Sequence, residues 1–423
     1  MSDQHASGAA QYRAVLGNTE LVALLSARVL SGIGDQLARV VLALYVLDRS
    51  DGNALLAASV LAVSYLPSTF GFALLGSLAD RFPRRAVMLW TDLIRAMIVT
   101  ALALAVAWDA GFAAVILLLV AETFSAPALS ARSSLLPDAA RSPIEYQAVV
   151  GLGSTFEQAI QVVGFVLAGV ALGITSATWV LLFDALTFLI SYLIVLAFVV
   201  PRPSAADPGT SAARMLRDMK SGLSTIVRTR ALRGVVFLLW ASAALLVATD
   251  AVALPYATGA GAPTWAATVL LAATPAGAAI GSLLVARLPM QRQVRLIFPL
   301  AIASMVPLLA TASEPPVAVA TVLWAFNGLA QGYVVTLMAL SMQLTPEHRR
   351  GRVFGVAGGG FNAMAIAGLI GMGAVAQHTS PAAAVVLAGA VGMTIVVIGA
   401  WVWPHEQVRS AVRATFGASS RHA

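Results

Sequence analysis

Twelve stretches of this chain are apolar for long enough to cross about 30 Å of hydrocarbon as a helix rising about 1.5 Å per residue. They fall at about 21 to 47, 55 to 78, 86 to 108, 112 to 131, 146 to 172, 178 to 200, 235 to 257, 264 to 286, 294 to 312, 315 to 342, 353 to 377 and 380 to 403. Lipid offers no hydrogen bonds to an open sheet, so each run is read as a helix. An even number of crossings returns both tails to one face. With 59% hydrophobic and 11% charged residues, the composition lies outside that of soluble domains. The expectation is an all-α integral membrane protein with twelve transmembrane helices.

The basic residues orient it. Of 26 Lys and Arg, only Arg49 falls on the proposed outer side, and Arg28, Arg39 and Arg95 fall inside runs. All the others occupy the tails and the alternate loops, which places both termini in the cytoplasm. The same scattering over short loops turns the net charge of +7 into a topology signal rather than a nucleic-acid surface. No cysteine occurs, and the five histidines lie in loops or tails, so no metal centre or cofactor is expected. The polar opening, MSDQHASGAAQYRAVLGNTE, precedes a run too long for a signal-peptide core, and the sequence predicts no cleavable leader.

Five segments follow: a cytoplasmic tail (1–20), a six-span bundle (21–200), a cytoplasmic central loop (201–234), a second six-span bundle (235–403) and a cytoplasmic tail (404–423). In the central loop Met215, Leu216, Met219, Leu223, Ile226 and Val227 recur at helical spacing beside arginines. That pattern reads as an amphipathic helix on the cytoplasmic leaflet, or else as a basic linker.

Between the second and third runs lies GSLADRFPRR, Gly76 to Arg85. Its glycine permits close helix approach, Asp80 can accept from a helix N-terminus, and Arg81, Arg84 and Arg85 can pair with carboxylates or lipid phosphate. The segment resembles the loop 2-3 signature of the major facilitator superfamily, G-x-L-A-D-R-x-G-R-R. Gly76, Leu78, Ala79, Asp80, Arg81, Arg84 and Arg85 match, and Pro83 replaces a glycine. DALTFLIS (Asp184 to Ser191) and RGRVFGV (Arg350 to Val356) are similar to stretches of the macrolide-efflux and enterobactin-exporter-like branch. The resemblance implies two six-helix bundles with a substrate path between them, and a latch in which Asp80 meets the eleventh helix near Arg352. The fifth span departs from the antiporter signature, because Gly164-Phe165 stands where that signature has glycine-proline.

The halves repeat. Gly151, Gly164 and Gly169 recur at one offset as Gly355, Gly368 and Gly373, and the GSL at Gly76 recurs at Gly281. Gly164, Gly169 and Gly368 are candidate helix-packing positions. The second copy of the loop, ARLPMQR, has lost the aspartate.

An ionised side chain at mid-bilayer costs at least about 2.5 kcal/mol unless paired or hydrated. Arg28, Asp35 and Arg39 share one face of the first span, with Asp35 near its middle; Glu122 lies at mid-depth in the fourth, and Glu157 in the fifth. Asp35 and Glu122, with Arg28 and Glu157, are the proton-coupling and cavity candidates. For Asp35 the alternative is a static pair within its own helix; for Glu157 it is a structural role. Asp92 and Arg95 are spaced as an intrahelical pair. Asp184 and Asp250 read as outer helix ends, gating or solvated. Asn327 and Gln331 either line the substrate cavity or join helices.

The function expected is secondary active export of small amphipathic, drug-like compounds by a monomer in a bacterial-type plasma membrane, with protons as coupling ion. Siderophore export, lysolipid movement and a transport-inactive sensor are the alternatives. An ATP-driven or enzymatic role is disfavoured, since the segment before the only lysine, Lys220, lacks the glycines of a phosphate loop.

Overall fold

A computed structural model describes residues 13–63, 65–66, 82–202, 212–346, 349–404 and 406–408. Gly76, Asp80, Arg81 and most of both tails (1–12, 405 and 409–423) therefore lie outside the described residues. Among those described there are helices and no strand. Eleven helices are long and apolar enough to cross a membrane; the second run is seen only in its first part, Ala54–Val63. Many large apolar side chains point outward, including Phe112, Ile174, Leu193, Phe237 and Val322, as a lipid-facing surface requires. Trp108, Trp179, Trp265 and Trp401, each near the end of a span, are exposed in the manner of interfacial anchors.

The chain forms two compact units, Met1–Arg49 with Leu66–Thr210, and Ser50–Tyr65 with Ser211–Ala423. In the first unit the helices are α1 (Thr19–Arg49), α3 (Arg84–Ala107), α4 (Gly111–Thr123), α5 (Ser125–Ala139), α6 (Pro143–Ile174) and α7 (Ala177–Phe198). The second holds α2 (Ala54–Val63), α8 (Ala212–Arg228), α9 (Arg230–Leu246), α10 (Ala248–Gly259), α11 (Thr264–Ala286), α12 (Met290–Ala310), α13 (Val317–Ala330), α14 (Tyr333–Gln343), α15 (Arg350–His378) and α16 (Pro381–Val402).

Local chemistry explains several boundaries. Ser142 caps α6 by accepting from the Glu145 N–H, with Pro143 at the first helical position. Ser380 and Pro381 begin α16 in the same way. The fourth span breaks at Phe124 because Pro127, in the next turn, cannot donate to the carbonyl four residues back and crowds it. It then continues through α5, so Arg132, expected in a loop, lies in the helical continuation of the fourth span.

In the first unit α1 packs on α6 and α7, and α3 packs on α7. The corresponding pairings recur in the second unit, where α9 packs on α15 and α12 on α16. The repeated glycines mark these crossings. A Cβ on Gly164 would collide with Gln36 of α1, and one on Gly368 would collide with the Ala244 carbonyl of α9. Gly169 is buried in its helix.

Two features were not anticipated. Gly277 and Gly281 of α11 face Gly328 and Gly332 around the end of α13, and the four glycines bring backbone against backbone. A Cβ on any of them would strike a main-chain carbonyl across the crossing: Ala325, Leu329, Thr274 and Gly281 respectively. This is a pair of interlocked G-x-x-x-G stretches. Second, α2 belongs to the second unit by packing on α15. Gly373 admits Ala58, and the Ala54 N–H at the start of α2 donates to Gln377 Oε1 at 2.8 Å.

Replacing Gly281 with leucine should force these backbones apart at a cost of about 1 to 3 kcal/mol. We expect the melting temperature of the purified protein to fall by about 1 to 3 °C; an unchanged melting curve would show that the crossing tolerates a side chain.

Candidate functional site

Away from their ends, the membrane-spanning helices of the first unit carry four guanidiniums, Arg28, Arg39, Arg95 and Arg132, and five carboxyls, Asp35, Asp92, Glu122, Glu157 and Asp184; the other charged residues of those helices, among them Glu20, Arg49, Arg84, Asp138 and Glu145, lie in terminal turns. A low-dielectric interior makes each ion costly unless a partner is held in good geometry. The helices supply those partners across chain segments far apart in sequence.

Helix α1 is the hub. Arg28 grips Glu157 of α6 through Nε and Nη2 and lies 4.0 Å from Asp35. Arg39 forms a fork with Glu122 of α4, at 2.6 and 3.0 Å, and also donates to Gln36 at 2.7 Å. Asp35 accepts from Arg95 of α3 at 2.6 Å. Asp35 therefore keeps a 4.0 Å ion pair with Arg28 of its own helix, and the guanidinium hydrogen-bonded to it comes from a different helix. Arg28 and Arg39 make their hydrogen-bonded ion pairs with α6 and α4.

Arg95 is almost entirely enclosed, at 4% exposure. Besides Asp35 it donates to the Ala121 carbonyl at 3.1 Å, and its guanidinium lies 4.3 Å from the centre of the Phe188 ring. The expected Asp92–Arg95 pair is not formed; Asp92 instead accepts from Ser191 of α7 at 2.7 Å. Three residues apart on a helix permits a pair, but here the deeper carboxylate of α1 competes for the same cation.

Asp184, read as an outer helix end, is corrected too: it is buried at 1% exposure. Thr187 donates to its Oδ1 at 3.3 Å, while Oδ2 has no hydrogen-bond partner among the described residues. Gly34 is what lets α1 approach, since a Cβ there would overlap Asp184 Oδ1 and Thr187 Oγ1. Arg132 likewise has a buried Nε without a hydrogen-bond partner among the described residues.

Glu157 sits on the accessible side of the cluster, its side chain 45% exposed, whereas Glu122 is 2% exposed. Ser154, Thr155 and Gln158 share that exposed side of α6. The cluster thus grades from an open polar edge at Glu157 and Arg28 to a closed interior at Asp35, Arg95 and Asp184.

In the second unit the polar candidates act differently. Asn327 is fully buried; it donates to the Ser304 carbonyl at 2.7 Å and accepts from Gln331 at 2.8 Å, so it joins α13 to α12. Of the two readings for this residue, the geometry matches the joining of helices. Asp250 lies in the first turn of α10, inside the span Arg230–Gly259 rather than at a solvated end, and its buried Oδ1 is unpartnered among the described residues. No group of residues able to hold a metal ion is found among those described.

Two of the loop arginines have intramolecular work. Arg84 donates to the Ser134 carbonyl at 2.8 Å and pairs with Asp138; Arg85 donates to the Leu196 carbonyl at 2.6 Å. They neutralise the carbonyl-rich ends of α5 and α7. Arg352 lies in the first turn of α15, which has no side-chain cap at Arg349.

Residues 24–326 match the family described as Major Facilitator Superfamily. The multidrug efflux pump Tap of Mycolicibacterium fortuitum is 29% identical over 357 residues, covering 80% of this chain and 84% of that protein. Tap of Mycobacterium tuberculosis (strain ATCC 25618 / H37Rv) is 29% identical over 355 residues, covering 79% and 81%. Among solved structures, a POT family transporter in complex with 5-aminolevulinic acid matches with a TM-score of 0.72 at 11% identity, covering 91% of this chain and 96% of that one. The nucleoside transporter NupG matches with a TM-score of 0.69 at 14% identity, covering 90% and 99%. At such low identity these two likenesses concern the fold alone. A family match across most of the chain, together with eleven apolar helices of spanning length, means that this protein belongs to the Major Facilitator Superfamily and is a multi-pass membrane transporter, not an enzyme.

Proposed function

We propose that this transporter is a secondary active exporter of small amphipathic, drug-like compounds, working by alternating access and driven by protons. The observation that carries the reading is the uneven ion cluster of the first unit, in which five carboxyls share four guanidiniums. The similarity to Tap multidrug efflux pumps supports the substrate class.

The chemistry follows from the imbalance. Three carboxyls have bonded guanidiniums: Glu157 with Arg28, Glu122 with Arg39, and Asp35 with Arg95. Asp92 leans on Ser191, and Asp184 has no bonded cation among the described residues. With every carboxyl ionised the cluster carries one surplus negative charge in a medium that penalises it by several kcal/mol. One proton removes that charge, and so does one cationic substrate. A site that holds either but not both exchanges them, which is antiport. In this reading Asp184 stores the proton, while Glu157 and Arg28, at the exposed edge, meet the substrate first. Asp35 and Glu122 transmit occupancy through Arg95 and Arg39 to α3 and α4. The Asp80 loop serves as the conformational latch, as its sequence signature implies.

Ethidium efflux from energised cells, with and without an uncoupler, tests the reading as a whole. Expression should accelerate efflux and the uncoupler should abolish the gain; no gain over cells with empty vector would remove it. Within the cluster, Asp184→Asn should cut pH-gradient-driven flux in proteoliposomes by about tenfold or more while insertion is retained. Undiminished accumulation by that variant would clear Asp184 of the storage role. Arg95→Met should be costly for another reason: it strands Asp35 as a buried charge, a loss of about 3 to 5 kcal/mol visible as a lower melting temperature. The double variant with Asp35→Asn should recover most of that stability but no transport. Asp80→Asn should slow export sharply at normal expression, and normal flux would take the latch out of the scheme.

A further inference from the structure

The central segment yields a second, separate reading. Helix α8 has three distinct sides. Gly222, Thr225 and Ile226 are buried against the beginning of α15 and the start of α9. Gly222 is needed there, because a Cβ would strike the Arg352 carbonyl and Val356. Thr225 accepts from Arg349 at 3.4 Å, and Ile226 packs with Leu232, Val236, Val353 and Ala357. Next round the helix, Met219, Leu223 and Val227 recur every fourth residue and are about half exposed, at 50%, 45% and 50%. Beyond them come Lys220, Arg217 and Arg228, all exposed.

The position of this helix is fixed by its neighbours. A single residue, Thr229, separates α8 from α9, which begins a span of the membrane. Arg233, in the first turn of that span, donates to the Val227 carbonyl at 3.2 Å and ties the end of α8 to the mouth of the crossing. An apolar edge held at that level meets acyl chains, and the cations beside it meet headgroups.

We propose that the Met219, Leu223 and Val227 edge with its Arg217, Lys220 and Arg228 flank is a binding surface for acidic phospholipid headgroups of the arginine-rich, cytoplasmic leaflet. Lipid occupancy there clamps the first turns of α15 through Gly222, Thr225 and Ile226. The occupant is lipid rather than a soluble partner for two reasons. The apolar edge adjoins a span and so needs no second protein to cover it. The flank carries one sign of charge, which the acidic headgroups of that leaflet complement. This surface makes no use of the ion cluster in the first unit, so it stands or falls independently of proton coupling.

The natural absence of cysteine makes the test direct. A fluorophore on Leu223→Cys of the full-length protein, in nanodiscs containing brominated acyl chains, should be quenched. Quenching should be roughly twofold greater with about 30% phosphatidylglycerol than in pure phosphatidylcholine. Lys220→Glu with Arg228→Glu should erase the difference. In the same nanodiscs, backbone hydrogen exchange over residues 353–360 should slow with the acidic lipid in the parent and not in the double variant. A label that the brominated chains leave unquenched overturns the surface. Equal quenching in the two lipids overturns the acidic headgroup, and unchanged exchange at α15 overturns the clamp.

Discussion

The bond between Asp35 and Arg95 holds the first unit to its purpose. A guanidinium cannot rest in hydrocarbon, and Arg95 is accepted only because a carboxylate, a carbonyl and an aromatic face surround it at once. Those three groups come from α1, α4 and α7, so satisfying one charge fixes the mutual placement of four helices. Arg28 and Arg39 extend the same logic to α6 and α4. The first unit is thus organised by ions exchanged between helices, with apolar packing at its Val87, Met88 and Leu135 end. On the mechanism proposed above, the residues that specify the bundle are also the ones that rearrange during transport.

The second unit is built on the opposite principle. Its spans carry a single carboxylate, Asp250, and its tightest crossing is made by glycines that let α11 and α13 touch along their backbones. Hydroxyls and amides fill the polar roles: Ser242 with Tyr333, Thr249 with Thr274, and Asn327 with Ser304. Such contacts keep their form whatever the state of protonation. The two sequence repeats have therefore diverged into one unit whose cohesion depends on charge and one whose cohesion does not.

What the sequence made legible follows from the kind of force involved. Span positions, the repeat and the packing role of Gly164 and Gly368 are properties of periodicity and side-chain volume, and they read directly. Charge pairing does not, because the partner is chosen in three dimensions. Asp92 sits three residues from Arg95 and still loses it to Asp35, which is 60 positions away in the chain. Asp184 looked peripheral because the run around it could be placed with either end at the interface, and only the approach of α1 at Gly34 reveals that it is enclosed. Arg132 was missed for a simpler reason: apolar composition declines before the fourth span ends, so α5 resembles a loop until its helix is seen.

The docking of α2 on α15 bears on how the molecule is made. Ala54 and Gln377, which share a hydrogen bond, are 323 positions apart. At about 5 to 20 residues per second, a ribosome needs some tens of seconds to supply the second after the first. Throughout that interval the polar start of α2 and its small-residue face stand without their final neighbour. A helix threaded early must wait for one threaded near the end, so a nascent chain truncated before residue 377 leaves this early segment without its hydrogen-bond acceptor.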